Sequence, residues 1–361
     1  MRGEREQQQA MMIVVSPEEM IPADHPIRAI KKLADLELKR LSPLFDTLYS
    51  KEGRPSIPPE YLLKATLLMA LFSVRSERQI CEQLNYNFMF RWFLGMQVDE
   101  AVFNDSVFAK NKERLMKAEV GQAFFQGIVQ QAKDADLIST DHFTVDGTLI
   151  DAWASLKSFQ KKDKPDDGAP PDDLSRNPDV DFKGEKRSNQ THESKTDPEA
   201  KLARKGFGKE AKMSFSAHAL MENRNGMCVG ISVAEANGTA ECEEALELIK
   251  EEKERGSKVK TVGADKGYDR KSFVEGLKDA EVTPHVAAKK LHSAMDPRTL
   301  RGKGYKISQR CRKKVEEIFG WMKTVGGFRK TRYKGIERTG FCAYIVAAAY
   351  NLVRMSKLMA E

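Results

Sequence analysis

Hydrophobic positions in the first third of the chain recur at helical spacing. Leu62, Leu63, Thr66, Leu67 and Ala70 share one face when successive apolar positions lie three to four residues apart. The same reading predicts helices over Ile27–Leu48, Tyr61–Val74 and Glu77–Leu84, and a long one from Val107 through Ile128. Pro59 and Ser76 stand where helix starts favour a proline or a capping hydroxyl. The aromatic run NYNFMFRWFLG reads as a core helix in preference to a nucleic-acid platform, and SVFAKNKERL could serve as a recognition helix. Residues 1–136 are therefore expected to form an all-helical unit used for DNA binding or dimerisation.

The period changes at HFTVDGTLI, residues 142–150. Phe143, Val145 and Leu149 alternate with Thr144, Asp146 and Thr148, the pattern of a half-buried strand. A polar tract from about 156 to 209 follows, rich in Lys, Asp, Pro, Ser and Asn. It holds too little apolar surface to order itself and is expected to be a mobile insertion. Beyond it, KMSFSAHALM and MCVGISVAEA flank an Asn225-Gly226 turn and predict a hairpin. A helix capped by Thr239 comes next, then the strand KVKTVGAD, a short helix with a Ser272/Glu275 capping box, the strand EVTPHVA, and two C-terminal helices. Three strands and then alternating elements imply an α/β fold, a mixed sheet with helices packed on it, over residues 137–361.

Composition narrows the class. With 361 residues, 40% hydrophobic and 31% charged, the chain can bury a sizeable core, most simply in two domains. The net charge is +7, but Lys289–Arg338 alone carries sixteen Lys and Arg against four acids, so the remainder is net acidic. Such a block suggests a polyanion partner, most simply nucleic acid. Five scattered cysteines without a CxxC pair fit a reducing compartment and argue against a disulfide framework or a zinc site. The polar start is no signal peptide, and the longest apolar runs fall short of the roughly 20 residues that span a bilayer. A soluble cytoplasmic protein is expected.

Three acids stand out by position. Asp146 lies mid-strand on a polar face, Asp265 ends a strand where open α/β sheets place ligands, and the helix CRKKVEEIFGWMK offers two glutamates. Carboxylates gathered at one sheet edge repel unless a cation sits between them, and hard oxygen donors select Mg²⁺ or Mn²⁺. Stepping about 100° per residue along the helix puts Val315, Ile318, Phe319 and Met322 on the buried face. Glu316 then borders that face, between Arg312 and Lys323, and can reach the sheet. Glu317 points away, a solvent-side partner for nearby lysines. Arg329, Lys330, Arg332 and Lys334 follow the helix and could clamp DNA through its phosphates. His142, His218 and His285 read as hydrogen-bonded sheet residues.

The motifs TVDGTLIDA, VGADKGYD and the helix pattern R-x₃-E-x₆-K, here Arg312, Glu316 and Lys323, resemble bacterial insertion-sequence transposases of the DDE class, in the group numbered five. The order and spacing carry the resemblance: 119 positions separate Asp146 from Asp265, and 51 separate Asp265 from Glu316. It implies an RNase H-like catalytic domain in which Asp146, Asp265 and Glu316 bind two Mg²⁺ or Mn²⁺ ions. It further implies hydrolysis at element ends and attack of the freed 3′-hydroxyl on target DNA, with Arg312 and Lys323 on phosphates near the element tip. The expected partners are terminal inverted repeats and target DNA, held by a homodimer when two ends are engaged, and the protein would then sit on the nucleoid. The family often has a tyrosine three residues before the arginine, where this chain has Gln309. Two other readings are a DNA-binding derivative that has lost catalysis, and an RNase H-like nuclease without strand transfer.

Overall fold

The computed structural model describes residues 16–50, 52–53, 55–117, 119–162, 180–182, 185–206, 208–238 and 240–360. Helices come first: α1 (Pro17–Met20), α2 (Ile27–Leu48), α3 (Pro59–Leu71), α4 (Glu77–Tyr86), α5 (Phe88–Leu94), α6 (Asp105–Lys117) and α7 (Val120–Asp134). Ser76 caps α4 as its position predicts, its Oγ accepting from the Gln79 N–H at 3.1 Å. The aromatic run becomes α5, which buries Phe90, Trp92, Phe93 and Leu94 and ends at Gly95 with φ +86°. The single helix expected from Val107 to Ile128 is two helices. Glu119 adopts φ +53°, a left-handed conformation that breaks the hydrogen-bond ladder and lets α7 set off in a new direction. In α6, Lys112 is buried between Glu77 and the Tyr333 hydroxyl, so this cation of SVFAKNKERL serves the fold.

The rest of the chain builds the sheet and its cover. The strands are β1 (His142–Asp151), β2 (Phe159–Lys161), β3 (Val180–Phe182), β4 (Glu185–Arg187), β5 (His192–Ser194), β6 (Lys201–Ala203), β7 (Lys212–Glu222) and β8 (Cys228–Glu235). Then come α8 (Ala240–Glu254), β9 (Thr261–Ala264), α9 (Lys271–Asp279), β10 (Thr283–Val286), α10 (Pro297–Arg301), α11 (Lys303–Cys311), α12 (Lys314–Lys323) and α13 (Ile336–Leu358). The main sheet runs β10-β9-β1-β7, and β8 and β6 share the outer edge of β7. β7 is antiparallel to β1 and β8, whereas β9 and β10 run parallel to β1. A three-strand meander extended by two parallel strands is the RNase H-like arrangement. The hairpin turn is built as its Asn-Gly signal requires, with Gly226 at φ +66°. It is braced from within by buried Glu222, which accepts from the Asn225, Arg224 and Met227 N–H groups at 2.6, 2.8 and 3.1 Å.

Much of the polar tract expected to be mobile is folded. β6 pairs with the start of β7, β5 pairs with β2, and Asn189 exchanges two hydrogen bonds with the Leu202 backbone. Much of the apolar surface that the tract lacks is supplied from outside it: its Phe159, Ala200 and Leu202 pack with Ala154, Met213 and Phe215 in a second small core. Asp197 and Glu199 accept from the Gly335 and Ile336 N–H groups, which ties the tract to the start of α13. Residues 163–179 lie outside the described residues, as does Thr239, the expected cap of α8. The Ser272/Glu275 capping box does not form: α9 starts at an extended Arg270 with no side-chain cap. The main core runs unbroken from the helical region into the sheet, with α13 between them. Its Asn351 clasps both the N–H and the C=O of Cys228 on β8. Among the described residues no helix is long and apolar enough to cross a membrane.

Candidate catalytic cleft

Asp146 occupies the middle of β1, opposite Ala219 of β7 and half-buried, with its Oδ1 accepting the Gly147 N–H at 2.8 Å. On the other side β9 pairs in parallel, Thr144 facing Gly263, so two residues further on Asp265 leaves its strand level with Asp146. Asp265 also caps the turn that follows, its Oδ1 accepting from Gly267 N at 2.6 Å, so capping and proximity to Asp146 coexist in one side chain. Burial pushes the Asp146 carboxyl up to about 6. The charges of Asp265 and Glu241 push the same way, while the Gly147 N–H and Arg312 pull it down. The glycine after Asp146 sits at a close approach: a Cβ there would stand 3.0 Å from His218 Nδ1 and 3.4 Å from Glu241 Cγ, so a larger residue would have to displace those side chains.

Glu316 comes from α12, whose four apolar residues Val315, Ile318, Phe319 and Met322 are all buried as the helical stripe requires. It is exposed and lines a cleft of about 780 Å³ together with Asp146, Thr148, Phe319, Lys323 and Arg329. Glu317 faces away, but its partner is not a lysine. Arg354 of α13 reaches it at 3.2 Å, because α13 crosses beside α12 on that side. The helix expected to carry the arginine, glutamate and lysine is interrupted at Arg312 and Lys313. Both keep right-handed helical angles, so the spacing survives the break. The Arg312 Nε is buried with no hydrogen-bond partner.

The remaining basic residues separate into groups. Lys323 reaches over β1, its Nζ donating to Thr148 Oγ1 at 2.5 Å, and burial lowers its ammonium pKa, helped by Lys205 and Arg329. Arg329 enters the cleft because residues 329–331 lie along the end of β1. Asp151 N donates to the Arg329 carbonyl at 3.1 Å, and Thr331 N donates to the Asp151 carbonyl at 2.8 Å. Lys330 sits 5.6 Å from the Trp153 ring centroid. Arg332 turns toward the helical region and donates to the Val74 carbonyl at 3.4 Å, while Lys334 is exposed. Lys205, Lys209 and Lys212 also line the cleft and were missed in the sequence, although KLARKGFGKEAK is visibly cationic. Glu241, in the first turn of α8, was missed as well.

Of the three histidines, His142 and His285 are bonded as expected, to Thr261 Oγ1 at 2.9 Å and Ser308 Oγ at 2.6 Å. His218 is not. It is fully buried with neither ring nitrogen partnered, and burial lowers its pKa to about 4. Gln309 donates from Nε2 to the His285 carbonyl at 2.5 Å and so braces α11 against β10. Among the described residues no three His, Cys, Asp or Glu side chains converge on a single point. The chemistry of the donor set nevertheless fits a hard divalent cation: the charge of Asp265 raises the cost of ionising Asp146, which a cation between them would offset, and Glu316 lines the same cleft as Asp146.

Comparison with known proteins bears on the whole arrangement. A transposase domain family, DUF772, matches residues 15–114, and the Transposase DDE domain family matches residues 186–352, a span that includes Asp265, Arg312, Glu316 and Lys323 and begins after Asp146. No curated protein matches the chain. Among solved structures, a Mos1 transposase paired-end complex with left transposon end is 11% identical over 88% of this chain and 84% of that one, with a TM-score of 0.21. A Mos1 mariner paired-end complex with Mn is 13% identical over 90% and 85%, with a TM-score of 0.20. Two transposase domains in this order, the second carrying the DDE name, make the chain a DDE transposase of the insertion-sequence kind.

Proposed function

We propose that the cleft hydrolyses DNA strands at the element ends and joins the freed 3′-hydroxyl to target DNA, with Asp146, Asp265 and Glu316 as its metal-binding carboxylates. The observation that carries this reading is the parallel β1–β9 register, which brings Asp146 and Asp265 level, with Glu316 on the facing helix of the same cleft. Two Mg²⁺ or Mn²⁺ ions bound there would supply Lewis-acid activation of the attacking oxygen and charge relief at the leaving one. The protein's own part is to hold Asp146 and Asp265 half-buried, so that a cation is favoured over water, with Glu316 reaching in from the exposed side. Arg312 offsets part of the carboxylate charge, and Lys323, Arg329, Lys205, Lys209 and Lys212 receive phosphates on either side. Two ends must be held together for joining, so the working form is a homodimer on DNA.

The test is cleavage and strand transfer on DNA carrying the element ends. Asp146→Asn, Asp265→Asn and Glu316→Gln are expected to abolish both reactions, as is EDTA. Glu317→Gln should stay within about twofold of the parent, since an exposed ion pair contributes little. A dead Glu317→Gln beside an active Glu316→Gln would overturn the assignment. A pre-cleaved end with a 3′-hydroxyl separates a transposase, which yields joined product, from a nuclease, which does not.

A further inference from the structure

Beyond the carboxylates, the end of β1 presents a large aromatic surface. Trp153 lies two residues past the strand and is 52% exposed, unusual for the largest side chain and out of line with Trp92, which is 8% exposed. Its direction follows from the backbone. Ala152 continues the ladder by donating to the Met213 carbonyl at 2.8 Å and points inward, 2% exposed. Asp151 and Trp153 therefore flank it on the opposite side, and Asp151 lines the cleft. Lys330 holds its ammonium 5.6 Å from the indole centroid, and Arg329 beside it faces the cleft.

We infer that Trp153 and Lys330 form a stacking platform for an unpaired base of the DNA strand that enters the cleft. Charge selects this occupant over an apolar one: the ring is bordered by Lys330 and by a cleft lined with Lys205, Lys209, Lys212, Lys323 and Arg329. The open face of the ring supplies the reason for an unpaired base: an indole can stack only on a base whose own face is not covered by a neighbour. Seven residues of extended chain separate Trp153 from Asp146, about 23 Å at the rise of a strand, so the stacked base lies several nucleotides from the reacting phosphate. An indole accepts any base on its π-face while the lysine pairs with the adjoining phosphate, so the platform is indifferent to sequence. This rests on the reading of the cleft as the DNA site, but not on which carboxylates bind metal.

The experiment uses the full chain in EDTA, with fluorescence anisotropy of a labelled 15-nucleotide dT strand and of a blunt duplex of the same length. Trp153→Ala is expected to weaken single-strand binding about tenfold and to leave duplex binding unchanged, with Trp153→Phe close to the parent. Lys330→Gln should weaken both probes alike through a lost phosphate contact. Single-strand affinity unchanged in Trp153→Ala would overturn the proposal, as would equal losses on strand and duplex. Because no metal is present, failure here is distinct from failure of the triad, which is read by cleavage.

Discussion

At the scale of single residues, Asp146 carries a measurable thermodynamic signature. Its carboxyl is raised from 3.8 to about 6, first by burial and then by the charges of Asp265 and Glu241. A group raised on folding adds stability below its ordinary value, and that contribution is lost as pH rises through the folded value. Ionised Asp146 is therefore a cost to the metal-free protein at neutral pH, on the order of 2–3 kcal/mol at 1.36 kcal/mol per unit. Asp146→Asn in EDTA should unfold at a higher temperature than the parent at pH 7.5, with the gap closing toward pH 4. Mn²⁺ should stabilise the parent and not the variant. A variant less stable than the parent at pH 7.5 would remove the argument. The position of this acid was legible, because strict alternation puts it on the polar face of β1. The absence of partners for His218 was not, since alternation assigns a face and says nothing about what stands opposite.

At the scale of elements, the sequence was most readable where one segment carries its own pattern. The stripe Val315, Ile318, Phe319 and Met322 predicted which side of α12 is buried, and with it the different surroundings of Glu316 and Glu317. It failed where order comes from a distance. β6 has three residues, and its fully buried Leu202 packs on Phe159 and Phe215, which belong to other strands. No window along the polar tract contains that core, so composition alone predicted mobility. The break between α6 and α7 was hidden for a related reason: Glu119 at φ +53° leaves apolar residues at helical spacing on both sides. Leu202→Ala is expected to cost about 2–5 kcal/mol, as for a large-to-small change in a packed core. Thermal or denaturant unfolding reads this directly. A cost below about 0.5 kcal/mol, typical of surface positions, would mean that the tract does not fold with the sheet.

At the scale of the whole molecule, the basic block legible in the sequence proves to be divided in use. Arg332 bonds to the helical region and Arg338 pairs with Glu113 of α6, so these cations bind the C-terminal segment to the N-terminal helices through a common core. The cleft instead collects its positive charge from three separate segments: Lys205, Lys209 and Lys212 on and beside β6 and β7, Lys323 on α12, and Arg329 along β1. A strand lying in the cleft would meet cations on both walls, only one of which belongs to the sequence block. Each phosphate neutralised releases counterions and adds about 0.9 to the slope of log affinity against log salt. The triple variant Lys205→Gln, Lys209→Gln, Lys212→Gln should thus lower the magnitude of that slope by about 2–3 while leaving the fold intact, since all three side chains stand at the cleft surface. Arg338→Gln should leave the slope unchanged, because its partner is Glu113 and not a phosphate. If Arg338→Gln changed the slope and the triple variant did not, DNA would lie along the basic block as it runs in sequence, outside the cleft that Asp146 and Glu316 line.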